Sequence, residues 1–151
     1  MAMMYSAGSG SVSLTGGTQA VPLLLNTPSS TRIKINRLSV SFSGTSSTAT
    51  PANCQLVRLS AASGTSAIPA TYGPNAWDPA DPASPQTTAH ITSTAFTVSA
   101  VLWELEIPPT QGWAEWFPLG QEPVCAVSTI IGLALNAPAS VTAYTWLIWT
   151  E

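Results

Sequence analysis

A chain of 151 residues is long enough for one domain with a full hydrophobic core. Only 7% of it is charged, 4 basic against 7 acidic residues for a net charge of −3, which excludes the basic patch that nucleic-acid phosphates need. A hydrophobic content of 45% excludes a disordered chain, and 38 Ser and Thr residues stand where charges usually keep a free monomer soluble. Much of the surface is therefore expected to be covered by other proteins.

The N-terminal stretch "MAMMYSAGSG" has no basic region and no long apolar run, so it does not read as a signal peptide, and no run approaches the length of a membrane span. Met3, Met4 and Tyr5 are adhesive and precede a Gly/Ser hinge, which makes residues 1–10 a candidate N-terminal arm. "SVSLT" at 11–15 and "QAVPLLL" at 19–25 are short β-prone runs; Pro22 suggests an edge position for the second. In "TRIKINRLSVSF", Ile33 and Ile35 share one face of a strand, whereas Leu38, Val40 and Phe42 fall on the opposite parity. One extra residue near Asn36–Arg37, a β-bulge, would return both sets to the same side and bend the strand.

"NCQLVRLS" at 53–60 is the next strand. Residues 61–89 then run 29 positions with five prolines and no period, longer than structureless loops in compact domains. With Ile68, Tyr72 and Trp77 in it, this Pro-rich segment reads as an extended arm laid on a neighbour, anchored by Tyr72 and Trp77. Strands resume at "HITSTAFTVSA" (90–100) and "VLWELEIP", where Val101, Trp103, Leu105 and Ile107 alternate with Leu102, Glu104 and Glu106. "GWAEWFPL" follows. "VCAVSTIIGLALN" and "SVTAYTWLIWT" are joined by "APA", which predicts a terminal hairpin. Short strands at this spacing, with helix signals broken by 13 prolines, predict a single all-β domain: an antiparallel sandwich or barrel, jelly-roll-like, with long extended loops.

Chemistry is sparse. His90 is the only histidine, and Cys54 and Cys125 lack metal-ligand spacing, so they read as small buried hydrophobes in a reducing compartment. No nucleophile elbow accompanies the serines. Glu104 and Glu106 share a strand face about 7 Å apart by strand rise, near glycosidase spacing, but nothing else supports acid–base work. No enzyme and no cofactor are expected. Trp113 and Trp116 flank Glu115 and are expected in the core or a subunit interface, with sugar stacking as the alternative. The basic residues Arg32, Lys34, Arg37 and Arg58 all precede the acidic ones. Chance and complementary contacts between copies both account for that segregation.

"MAMMYSAG", "RIKINRLSVSFSGTSS", "VRLSAASGT", "WDPADPASPQTT" and the terminal "LIWTE" resemble small all-β virion proteins of tailed bacteriophages, of the head decoration (cement) or minor capsid protein type. The resemblance covers most of the chain and brings no catalytic residues with it. It implies a protein made in the host cytoplasm that clusters on the capsid exterior, most often as a trimer, and braces neighbouring major capsid proteins. No nucleic acid and no membrane would be partners. A carbohydrate-binding or tail-fibre receptor-recognition module is the alternative.

Overall fold

Period-two alternation of apolar residues becomes twelve strands in the computed structural model, which describes residues 3–44, 50–81, 87–91 and 95–151. In chain order they are β1 (Met4–Leu14), β2 (Gln19–Asn26), β3 (Ile33–Ser43), β4 (Ala52–Ser63), β5 (Ser66–Ala67) and β6 (Asn75–Ala76). There follow β7 (Thr88–Ile91), β8 (Ala95–Ile107), β9 (Trp113–Trp116), β10 (Val124–Cys125), β11 (Ile130–Asn136) and β12 (Val141–Thr150). The front sheet runs β6-β1-β12-β3, and both β9 and β10 pair along the far side of β3; the back sheet runs β5-β7-β2-β11-β4-β8. All pairings are antiparallel, and the long strands fall in jelly-roll order, β1-β12-β3-β9 over β2-β11-β4-β8.

Successive strands β1 to β4 switch sheets, because each connection crosses the sandwich instead of turning back on its own strand. The β11–β12 connection does the same, so the expected terminal hairpin is absent: β11 lies between β2 and β4, and β12 between β1 and β3. The β1–β2 and β11–β12 crossings lie side by side, with the Gly17 N–H donating to the Ala137 carbonyl at 2.8 Å. A side chain at Gly16 would bring its Cβ within 2.8 Å of the Ala139 backbone, so only glycine lets the crossings touch.

The bulge in β3 sits where the alternation shifts. Against β12, Arg37 faces Ile148 and Ile35 faces Trp149, leaving Asn36 unopposed. Ile33, Ile35, Leu38 and Val40 are consequently all buried on the core side, at 0–2% exposure. Ile35→Ala and Leu38→Ala should each lower stability by about 3 kcal/mol, the cost of a core truncation with its cavity. Urea unfolding of the two variants measures this, and wild-type midpoints in both would contradict the bulge.

Further bulges interrupt β1, β2, β4 and β8, and two of them reposition residues read from the sequence. β11 slips against β2 between Leu133 and Leu135, so Val21 and Pro22 together oppose Ala134. Pro22 thus sits in a bulge, at a point of β2 beyond the reach of β7, which pairs only with Leu24–Asn26, so its missing N–H leaves no ladder position empty. In β8, Leu102 is skipped between the pairs Leu56–Trp103 and Val57–Val101. Val101 therefore does not join Trp103, Leu105 and Ile107; it turns outward and is 48% exposed.

The main core lies between the sheets, around Trp149, Tyr5, Leu23, Leu25, Leu56, Leu133 and Leu147. A second cluster, Val21, Leu24, Val57, Leu59 and Ala134, occupies the other face of the back sheet, with Phe96 and Val98 packed on it. The back sheet is thus apolar on both faces near its middle.

Two expectations about arms are corrected. Residues 4–10 belong to β1, and Tyr5 is 1% exposed, so this stretch is a central strand and not a free arm. It was misread because its core-facing side chains are mostly small. The described part of 61–89 packs on its own domain: it completes β4, supplies β5, β6 and the start of β7, and buries Ile68 to 9% exposure. Its pairings span two or three residues each, too few for a period to show. Residues 82–86 of that segment lie outside the described residues.

Candidate functional site

The outward face of the front sheet is built in three cross-strand rows. Since Tyr5, Ile35, Leu147 and Trp149 point inward, alternation sends Met4, Lys34, Arg37, Trp146, Ile148 and Thr150 outward. The first row is Gly8–Trp146–Ser39–Ala114, the second Ser6–Ile148–Arg37–Trp116 and the third Met4–Thr150–Lys34–Val124. Trp146 lies across Gly8, where any Cβ would collide with its ring. Tyr72, from a short 3₁₀ turn at Ala70–Tyr72, meets Trp146 edge-on at 6.5 Å and lies over Gly10. In the second row the Arg37 guanidinium stacks 4.8 Å from the Trp116 ring centre, and Ile148 is 1% exposed.

The third row floors a cleft of about 530 Å³, whose lining also includes Arg32, Asn36, Leu119, Glu122 and Glu151. The β3 bulge creates its wall. At Asn36 the edge partner of β3 changes from β9 to β10, and the intervening chain loops outward. That loop is pinned at both ends, the Phe117 N–H donating to the Asn36 carbonyl and the Ile35 N–H to the Pro123 carbonyl, each at 2.9 Å. At its tip Leu119 is 93% exposed between Pro118 and Gly120. It stands beside the cleft that Met4 and the exposed Val124 help to line.

Both acidic groups of the cleft are held by their own chain. Glu122 Oε2 accepts the Gly120 N–H at 2.7 Å, and Glu151 Oε1 accepts the Thr87 N–H at 2.9 Å. Hydrogen bonding from the backbone N–H groups of Glu122 itself and of Gly120, with help from nearby Lys34, holds the Glu122 carboxyl below the usual carboxylate range.

Of the residues singled out in the sequence, Met4 lies in the cleft floor. Met3 is half-buried, exchanging backbone hydrogen bonds with Glu151. Tyr5 is in the core, its ring 6.1 Å from that of Trp149, and makes no surface contact. Tyr72 is committed to Trp146. Trp77 is 53% exposed, its backbone N–H bound to the Met4 carbonyl. Trp113 and Trp116 are 45% and 53% exposed, outside the core. Paired with Val40 and Arg37 respectively, they point to opposite faces of β9 and cannot form one stacking platform. The sequence reading missed Leu119, although "PLG" at a turn was its visible signal.

The remaining chemical candidates have structural partners. Asn53 Nδ2 donates to Glu104 at 2.7 Å and Glu106 at 3.0 Å, and Gln55 Nε2 to Glu104 at 2.8 Å. These amides hold the Glu104 carboxyl below its ordinary range. His90 Nε2 meets Thr88 Oγ1 at 3.2 Å, while Asp78 Oδ1 accepts the Ala80 N–H in a turn. Cys54 and Cys125 are buried and form no disulfide, the Cys125 thiol lying 3.0 Å from Thr129 Oγ1, and burial pushes the Cys54 thiol up to about 12. Among the described residues no three His, Cys, Asp or Glu side chains group closely enough to hold a metal, and no helix is long and apolar enough to cross a membrane. Comparison of the chain with protein-family models, with curated proteins and with solved structures gave no match.

Proposed function

We propose that the chain is a non-enzymatic virion structural protein, a decoration (cement) protein that binds the outside of a tailed-phage head and braces its major capsid proteins, together with further copies of itself. The observation that carries this reading is the outward front face, where Leu119 and Val124 stand exposed beside a cleft. Low charge and the resemblance to phage virion proteins support it. Each contact is weak, and several made together from one oligomer give firm attachment. The carbohydrate-reading alternative draws no support from Trp113 and Trp116, which face opposite ways.

The test is binding of the purified protein to undecorated phage heads. Leu119→Ser should weaken attachment at least about tenfold while leaving thermal unfolding unchanged, as for an exposed hot-spot anchor. Attachment should survive a salt increase that shortens screening to well below about 10 Å, because apolar contacts persist where exposed ion pairs fade. Failure of the wild-type protein to bind heads would overturn the proposal.

A further inference from the structure

Three of the four sheet edges are short or split. β5 and β6 have two residues each, and the far side of β3 is divided between β9 and β10. The fourth edge is β8, at 13 residues the longest strand, and among the described residues β4 is its one strand partner. An edge strand turns alternate N–H and C=O groups away from its sheet, where an extended backbone can take them.

This edge is regular over one stretch. Leu102 and Ser99 are skipped in the ladder with β4, and bulges of that kind bend an edge away from a partner. From Trp103 to Ile107 the ladder runs unbroken, and Pro108 and Pro109 end the strand. Within that window Trp103, Leu105 and Ile107 pack on the main core, while Glu104 and Glu106 stand exposed on the other face. Asn53 Nδ2 holds both carboxylates and Gln55 Nε2 the first, in each case through Oε1, leaving each Oε2 for a further donor. Arg58, the basic residue of β4, reaches instead to the Val124 carbonyl.

These features decide what can pair there. A second copy is disfavoured: antiparallel pairing about Leu105 sets Glu104 against the other copy's Glu106, and pairing about either glutamate sets it against itself. Like charges directly opposite repel. A segment with apolar residues opposite Trp103 and Leu105, and Lys or Arg opposite Glu104 and Glu106, meets both rows. Because the carboxylates are already held in place, they lose little freedom on pairing.

We infer that the β8 edge at Trp103–Ile107 receives, as an added strand, an extended segment of a partner protein in which apolar and basic residues alternate. Ladder hydrogen bonds and the apolar row hold the segment, and the carboxylates select it over another copy of the chain. The inference rests on the decoration reading for the segment's source, a major capsid protein, and not for its chemistry.

Hydrogen exchange of the β8 amides tests it, with a short peptide of alternating Lys and Val as the probe. At low ionic strength and saturating peptide, exchange of the outward amides between Trp103 and Ile107 should slow at least about tenfold. The same peptide methylated at every backbone nitrogen cannot complete the ladder and should give no protection, and a peptide of alternating Glu and Val should give none either. Glu104→Lys with Glu106→Lys alters two exposed side chains and should reverse the preference between the Lys and Glu peptides, with thermal unfolding unchanged. No protection by the Lys peptide, equal protection by its methylated form, or an unreversed preference in the double variant would each overturn the inference. Binding to undecorated heads separates it from the decoration role. A protein that takes the peptide but ignores heads sinks that role and keeps the edge. One that binds heads but ignores the peptide sinks the edge alone.

Discussion

Replacing Trp149 with alanine is expected to remove about 4–5 kcal/mol of stability, the upper end for an aromatic truncation in a core. Trp149 is fully buried in β12, the strand that holds β1 and β3 together. Its ring lies against Tyr5, and Nε1 donates to Glu151 Oε1 at 3.4 Å. Truncation leaves a cavity that rigid strands on either side cannot collapse into, and it strands the Tyr5 ring as well. In a domain of this size, each kcal/mol shifts Tm by about 2–4 °C, so a fall of roughly 8–20 °C should appear in a thermal scan. Trp149→Phe should retain most of the stability. A fall of under about 1 kcal/mol in the alanine variant would mean that the sandwich closes over the gap.

Replacing residues 68–80 with a Gly/Ser linker should be nearly as damaging, on the order of 4 kcal/mol. The linker would remove Ile68 from the core, Tyr72 from Trp146 and Gly10, and β6 from the edge of β1. Exposing that edge also invites pairing with other chains. A narrower change separates this from a general intolerance of the region. Trp77→Ser alters an exposed side chain and should stay within about 0.5 kcal/mol of wild type. Urea unfolding of both variants decides the matter; unchanged stability in the linker variant would restore the segment to the role of a detachable arm.

What the sequence made legible depended on how far each pattern ran. Eleven residues of β3 were enough to show the parity change at Asn36, and the bulge followed from strand geometry alone. The same device in β8 was overlooked, because Leu102 is apolar and an apolar residue in a bulge does not interrupt an apolar pattern. In β6 only two residues pair, so no alternation could develop. "APA" reads identically as a hairpin loop and as a crossing between sheets; only the partners of β11 and β12 distinguish them. The cleft lay further from view, since it depends on an edge strand splitting around the bulge and on a loop whose exposure is a tertiary fact. Its residues come from β1, β3, β10, β12, the loop between β9 and β10, Arg32 just before β3 and Glu151 just after β12, and no local spacing joins them.

The strand order also governs when the protein can fold. β1 finds its long partner only in β12, and β2 finds its own only in β11, so neither sheet can close from the first half of the chain. As a nascent chain leaves the ribosome, β1, β2 and β3 must wait with their apolar faces unsatisfied until residues 130–150 arrive. Such long-range topologies fold on slow timescales, about milliseconds to seconds, and expose sticky intermediates meanwhile. A chain interrupted anywhere before β12 would lack the central strand of the front sheet and hence the cleft floor. Only finished molecules would carry a surface able to dock.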